Sequence, residues 1–104
     1  MITVHDVLVR ARQIISRPEA WTQRALARDK DSNPVPVSSD LAVCFCSYGA
    51  DQKAASELNA GLRICAEADY ALQRAAGMGV ATFNDSGSHA EVLAVFDKAI
   101  EETA

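Results

Sequence analysis

Asn84-Asp85-Ser86-Gly87-Ser88-His89-Ala90-Glu91-Val92-Leu93 joins a helix-start signal to a cluster of polar side chains. Ser88 and Glu91 stand at capping-box spacing: the serine oxygen accepts the amide three residues on, and the glutamate reaches back to the cap amide. Val92, Leu93, Phe96, Ala99 and Ile100 then recur at helical intervals, which predicts an amphipathic helix closing the chain. His89 falls in its first turn, just after a polar turn at Asn84–Gly87, where a side chain can be rigid and still meet solvent.

Upstream, Leu58, Leu62, Ile64, Cys65, Ala68, Leu72 and Ala75 mark one face of a helix from about Leu58 to Ala76. Gly61 lies inside that span, costing some propensity and letting a neighbour come close. Gly77 is its expected left-handed cap, and Gly77-Met78-Gly79 breaks it. At the start of the chain, Thr3 and Asp6 form a cap ahead of Val4, Val7, Leu8, Ala11, Ile14 and Ile15, and Pro18 ends that helix. Asp29-Lys30-Asp31-Ser32-Asn33-Pro34 is dense in turn formers, so a small hairpin near residues 24–37, with Leu26 and Val35 on opposite arms, is an option. Such a hairpin must lean on the helices, and Trp21 is its expected anchor. Ser38-Ser39-Asp40 offers caps for a helix through Leu41, Ala42, Phe45, Tyr48 and Gly49. The alternation of Leu41, Val43 and Phe45 also suits a strand leading into a helix that starts near Cys46; the helix is preferred. The expected fold is mainly α, a compact single domain over residues 1–104 with about four helices.

Composition narrows the class. Hydrophobic residues make up 49% of the 104 and aromatics only 6%, so alanine must supply much of the packing between helices. No apolar run approaches the roughly 20 residues that span a bilayer, and the first residues lack a secretory signal, so a cytoplasmic protein is expected. Cys44, Cys46 and Cys65 are odd in number and lie in apolar surroundings, which suits free thiols. The net charge of −4 divides unevenly, with +3 over residues 1–30 and −7 over residues 31–104. An acidic portion of that kind suits docking on a basic partner, although a merely solvated surface is the commoner explanation of such charge.

Three chemistries can be weighed. Cys46 with His89 and Asp85 (or Asn84) would make a thiol nucleophile, its base and an orienting group, since a helix start acidifies a thiol and an imidazole can take its proton. The bland reading makes Cys46 a small core residue, with His89 and Asp85 at a helix end, and it is preferred because no spacing rule joins these positions. A metal site from Cys44, Cys46, Cys65 and His89 fails on the short Cys44-Phe45-Cys46 spacing, so neither metal nor cofactor is expected. Arg10, Arg17, Arg24 and Arg28 lack the interleaved aromatics and net positive charge of a nucleic-acid footprint.

Trp21-Thr22-Gln23, Ala25-Leu26-Ala27-Arg28-Asp29, Cys46 with Gly49-Ala50, Phe83-Asn84-Asp85, His89-Ala90-Glu91-Val92-Leu93 and Phe96-Asp97-Lys98-Ala99-Ile100 together resemble a family of small uncharacterised actinobacterial and phage proteins. The likeness covers most of the chain and is poor around Asp51–Ser56. Members of that family carry tryptophan where this chain has Phe45 and Phe83. The resemblance implies a shared small fold and no assigned activity. It also implies that Cys46, Asn84, Asp85 and His89 belong to one feature, and a buried polar clasp joining the last helix to the middle one is preferred to a reactive site. The functional expectation is a non-enzymatic interaction module that binds a bacterial protein, of the kind a phage uses against host defence (anti-CRISPR-like), with a homodimer left open. The alternative is a thiol-dependent hydrolase or transferase using Cys46 and His89.

Overall fold

A computed structural model describes residues 1–104. Helix α1 (Val4–Ile14) starts at a full capping box, in which Thr3 Oγ1 accepts the Asp6 N–H and Asp6 accepts the Thr3 N–H. Its apolar stripe, Val7, Leu8 and Ala11, continues into Ile15, and all four are fully buried. After a 3-10 turn at Pro18–Ala20, the chain forms strand β1 (Ala27–Arg28) and later strand β2 (Cys44–Phe45). These pair antiparallel, Ala27 opposite Phe45 and Arg28 opposite Cys44. Four more helices follow: α2 (Ser47–Leu58), α3 (Gly61–Ala76), α4 (Val80–Ser86) and α5 (His89–Glu102).

The mainly α fold is as the sequence indicates, and α5 opens on the expected box, Ser88 Oγ accepting the Glu91 N–H and Glu91 accepting the Ser88 N–H. Three local features differ from expectation. Residues 41–45 are not helical. Cys44–Phe45 is the strand that supplies partners to Ala27–Arg28, whose backbone groups would otherwise be orphaned in the core, and the helix begins only at Ser47. The hairpin near 24–37 forms, with Val35 N–H on Ala27 O, Asp29 N–H on Asn33 O and an antiparallel bridge between Arg28 and Pro34, and residues 44–45 supply the further strand that pairs with β1.

The helix read from about Leu58 is in fact two. Asn59 takes a left-handed backbone (φ 54°) that closes α2, and Gly61 (φ 82°) starts α3. A Cβ on Gly61 would meet nothing within 4 Å, so this glycine provides the turn and no close packing. Finally, Asn84–Ser86 is no turn but the last part of α4, which gives five α-helices where about four were expected.

Helix α1 packs against α2, α3 and α5, and α5 lies on α3. Phe96 and Val92 of α5 and Leu72 of α3 are fully buried beside the α1 stripe. Burying one such side chain contributes roughly 1.5–3 kcal/mol. The buried apolar groups that α2 gives the core are small, Ala50, Ala54 and Ala55, so the helices around it come close. At Gly49 the approach is extreme: a Cβ there would stand 2.0 Å from the Leu26 carbonyl oxygen. No helix is long and apolar enough to cross a membrane.

Candidate functional site

The structure gathers Cys46, Asn84 and Asp85 where β2, α2, α4 and the segment after the 3-10 turn meet. Asn84, 1% exposed, is the centre. Its Oδ1 accepts three hydrogen bonds: from Trp21 Nε1–H (2.9 Å), Ser47 N–H (3.0 Å) and Ser47 Oγ–H (2.7 Å). Its Nδ2 donates to Thr22 O (3.1 Å) and Asp85 Oδ1 (3.2 Å). Gln23 Nε2 donates to the carbonyls of Asn84 and Gly87, tying the end of α4 to the same segment. Both ends of the amide are thus used, which an ionised carboxylate in that place could not do.

Asp85 Oδ1 also accepts the Arg24 N–H at 2.9 Å. Arg24 holds a left-handed backbone (φ 64°), and that bond offsets a conformational cost of about 1–2 kcal/mol. Cys46 is the cap residue of α2, its sulfur accepting the Gly49 N–H at 3.4 Å. Two effects compete for its proton. Burial raises the thiol pKa, with a smaller push from the Asp85 charge, while the amides of Gly49 and Tyr48 lower it; burial wins. The acidification expected of a thiol at a helix start is therefore reversed. His89 turns elsewhere. Its Nε2 lies 2.6 Å from the Ile15 carbonyl oxygen, which can only accept, so Nε2 carries a proton. The ring also sits against Trp21, centroids 5.6 Å apart.

A hollow of about 250 Å³ opens beside this cluster, lined by Leu26, Cys46, Tyr48, Val80, Asn84 and Asp85 among others. Cys46 and Asp85 face one space, and His89 is not part of its wall. Trp21, Thr22 and Ser47 belong to the cluster as well; Trp21 was expected only as an apolar anchor, Thr22 stood only in the resemblance blocks, and spacing gave no sign of Ser47. Cys44 points to the Arg28 carbonyl and Cys65 lies on α3, so the three cysteines sit on separate elements as free thiols. Four of the arginines are engaged as well: Arg10 with Glu57, Arg12 with Asp97, Arg17 with Glu19, and Arg28 with Thr22, Gln23 and Ser32.

A model of DUF6197, a family of unknown function, matches residues 1–102. The chain belongs to this family. No curated protein and no solved structure matches it. In this DUF6197 chain the structure also places two acids that the sequence reading passed over. Asp51 of α2 is 0% exposed, lies against Asp69 of α3, and neither of its oxygens meets an N–H or O–H donor. Burial and the neighbouring carboxyl push Asp51 well above the usual carboxylate range; Asp69, half-buried, is raised too, mainly by burial.

With both carboxyls raised, the folded pair keeps a proton to higher pH than the unfolded chain does. Stability from this source is complete below the ordinary aspartate pKa and is lost as pH rises through the raised folded values. The capping carboxylates Asp6 and Glu91 are held low by their caps and act oppositely, losing stability as pH falls through their folded values. Chemical denaturation against pH is expected to show stability declining as pH rises above the usual carboxylate range. Asp51→Asn should flatten that decline and raise neutral-pH stability by about 1 kcal/mol or more. An unchanged profile in the variant would show that the pair does not share a proton.

Proposed function

We propose that this chain is a non-enzymatic protein-interaction module that docks on a basic surface of a bacterial protein, as a phage-derived inhibitor of a host defence system (anti-CRISPR-like) would. One observation carries the reading: the side chains best suited to catalysis are spent on holding the fold. The Cys46 sulfur caps α2, His89 holds the Ile15 carbonyl, and Asp85 holds the Arg24 amide. What is left outward is charge and a little apolar surface. Asp31, Asp40, Glu101 and Glu102 are exposed and outside every ion pair. Leu41 (65% exposed) and Val43 (52%) stand out from the arm leading into β2.

Docking steered by exposed carboxylates weakens as salt screens them, so capture of a specific bacterial partner should fall steeply between about 0.1 and 1 M salt. Cys46→Ala should keep both capture and the biological effect. A host pull-down with no specific partner, or one indifferent to salt, would count against the reading. The competing reading, a thiol-dependent hydrolase or transferase using Cys46, His89 and Asp85, draws on the hollow beside Cys46. Loss of the biological effect in a fully folded Cys46→Ala variant would favour it.

A further inference from the structure

Asp51 of α2 and Asp69 of α3 meet across the seam between the two helices, and the proton they share links one to the other. No ion pair joins these helices. Without that proton, two carboxylates would face each other where Asp51 has neither water nor a donor to offset its charge.

The apolar grip around the pair is slight. Helix α2 buries Ala50, Ala54 and Ala55, while Leu58 is only partly buried. Alanine offers far less apolar area than the fully buried Leu72 that fixes α3 to the body. At its start α2 is clasped by the bonds from Ser47 to Asn84, and at its end it runs into the corner Asn59–Gly61. That corner holds two left-handed residues, and open space surrounds Gly61, so it can turn without a clash. A surface groove of about 760 Å³ follows the seam from the corner to Asp69 and brings solvent to its rim.

The charged groups of the surrounding elements are turned elsewhere. On α1, Asp6 serves its own cap, His5 faces Ile100 O, Arg10 takes Glu57 of α2 and Arg12 takes Asp97 of α5. Asp85 of α4 holds the Arg24 amide, and on α5 His89 holds Ile15 O and Glu91 its own cap, while Lys98, Glu101 and Glu102 are exposed. Lys53 acts on Glu57, Arg63 on Glu67, and Arg74 lies over Tyr70. Only the Cys65 thiol feels the pair, and it is pushed up to about 11 by burial and the two acids, so it stays neutral.

We propose that the α2–α3 seam is a proton-operated latch: the proton shared by Asp51 and Asp69 holds α2 down, and its loss lets the stretch from Asp51 to Leu58 lift about the Asn59–Gly61 corner. The step breaks one carboxyl O–H, the proton goes to solvent, and the pair passes from one negative charge to two. A freed stretch this short cannot stay helical alone, so its amides open to water. The opening is local. Helices α1 and α5 keep their own buried stripe.

Hydrogen exchange of the intact chain against pH, expressed as protection factors so that the intrinsic rise with pH is divided out, tests the latch. The Ala54 and Ala55 amides should be at least about tenfold less protected than those of Leu8 and Phe96. Their protection should fall about tenfold per pH unit while the pair is losing its proton. Asp51→Asn, and independently Asp69→Asn, should raise the α2 protection and make it flat with pH. Equal protection of α2, α1 and α5 would show that only global unfolding occurs and would overturn the proposal. So would α2 protection that is flat with pH in the native chain, or a decline that persists in both variants.

Discussion

Asn84→Ala is expected to destabilise the fold by about 3–5 kcal/mol, the largest effect of any single polar substitution. The reason is what the amide leaves behind. Without Oδ1, the Trp21 indole N–H, the Ser47 amide and the Ser47 hydroxyl lose their acceptor together, and Ser47 is fully buried. Each buried donor left unpaired costs about 1–3 kcal/mol. The Ser47 amide is also one of the orphan N–H groups at the start of α2, so Asn84 caps that helix from another element while the Cys46 sulfur caps it locally. Thermal denaturation should register a fall of roughly 15–30 °C for a domain of this size. Asn84→Asp separates the two halves of the amide. Ionised, it keeps an acceptor but sets a carboxylate against Thr22 O and Asp85; protonated, it regains a donor, so its loss should be smaller at acid pH than at neutral pH. A drop under about 1 kcal/mol for Asn84→Ala would mean that the cluster does not hold these elements together.

Gly49→Ala is the second large effect. The added Cβ would lie 2.0 Å from Leu26 O and 2.9 Å from Leu26 C, and both obstacles are backbone. Neither can rotate away, so β1 must shift or α2 must tilt. Either motion strains the Cys46 N–H to Leu26 O bond that follows the sheet. We expect a loss of about 3 kcal/mol or more, at the upper end of overpacking costs. Hydrogen exchange should show the Cys46 amide losing protection first. Gly79→Ala is the matched control, because its Cβ would meet only Thr82 Oγ1, at an ordinary 3.6 Å. Equal stability of the two variants would contradict the close approach of α2 to β1.

The helices that the sequence revealed are those with a cap and a long apolar stripe. Thr3 with Asp6 and Ser88 with Glu91 announce α1 and α5, and the caps form as read. Where signals compete, tertiary pairing decides. Leu41, Val43 and Phe45 suit a strand or a helix locally, and the partner strand at Ala27–Arg28, distant in sequence, settles the matter. Helix α4 is too short to show its period. Its buried positions Val80, Phe83 and Asn84 do stand at helical spacing, but Asn84-Asp85-Ser86 is a turn-forming composition and obscures them.

Much the same holds for the clasp. Cys46, Asn84 and Asp85 do share one feature, yet it joins α4 to α2 and to the Trp21–Arg24 segment, and His89 reaches it only through Trp21. Helix α5, which was expected to be clasped, is fastened by other bonds: His89 to Ile15 at one end and His5 Nδ1 to Ile100 O at the other. Asp51 was legible in principle. It falls in the stripe Ser47, Ala50, Asp51, Ala54 and Ala55, where an acid among alanines marks a buried charge.

This polar cluster holds the fold together and does not activate a thiol. The rate of Cys46 alkylation by iodoacetamide, followed by mass spectrometry across pH in the folded protein, tests it most directly. Labelling should be slow at neutral pH, with an inflection above the ordinary thiol range, because burial holds the proton on sulfur. Rapid labelling near neutral pH, with an inflection that disappears in His89→Ala, would contradict it.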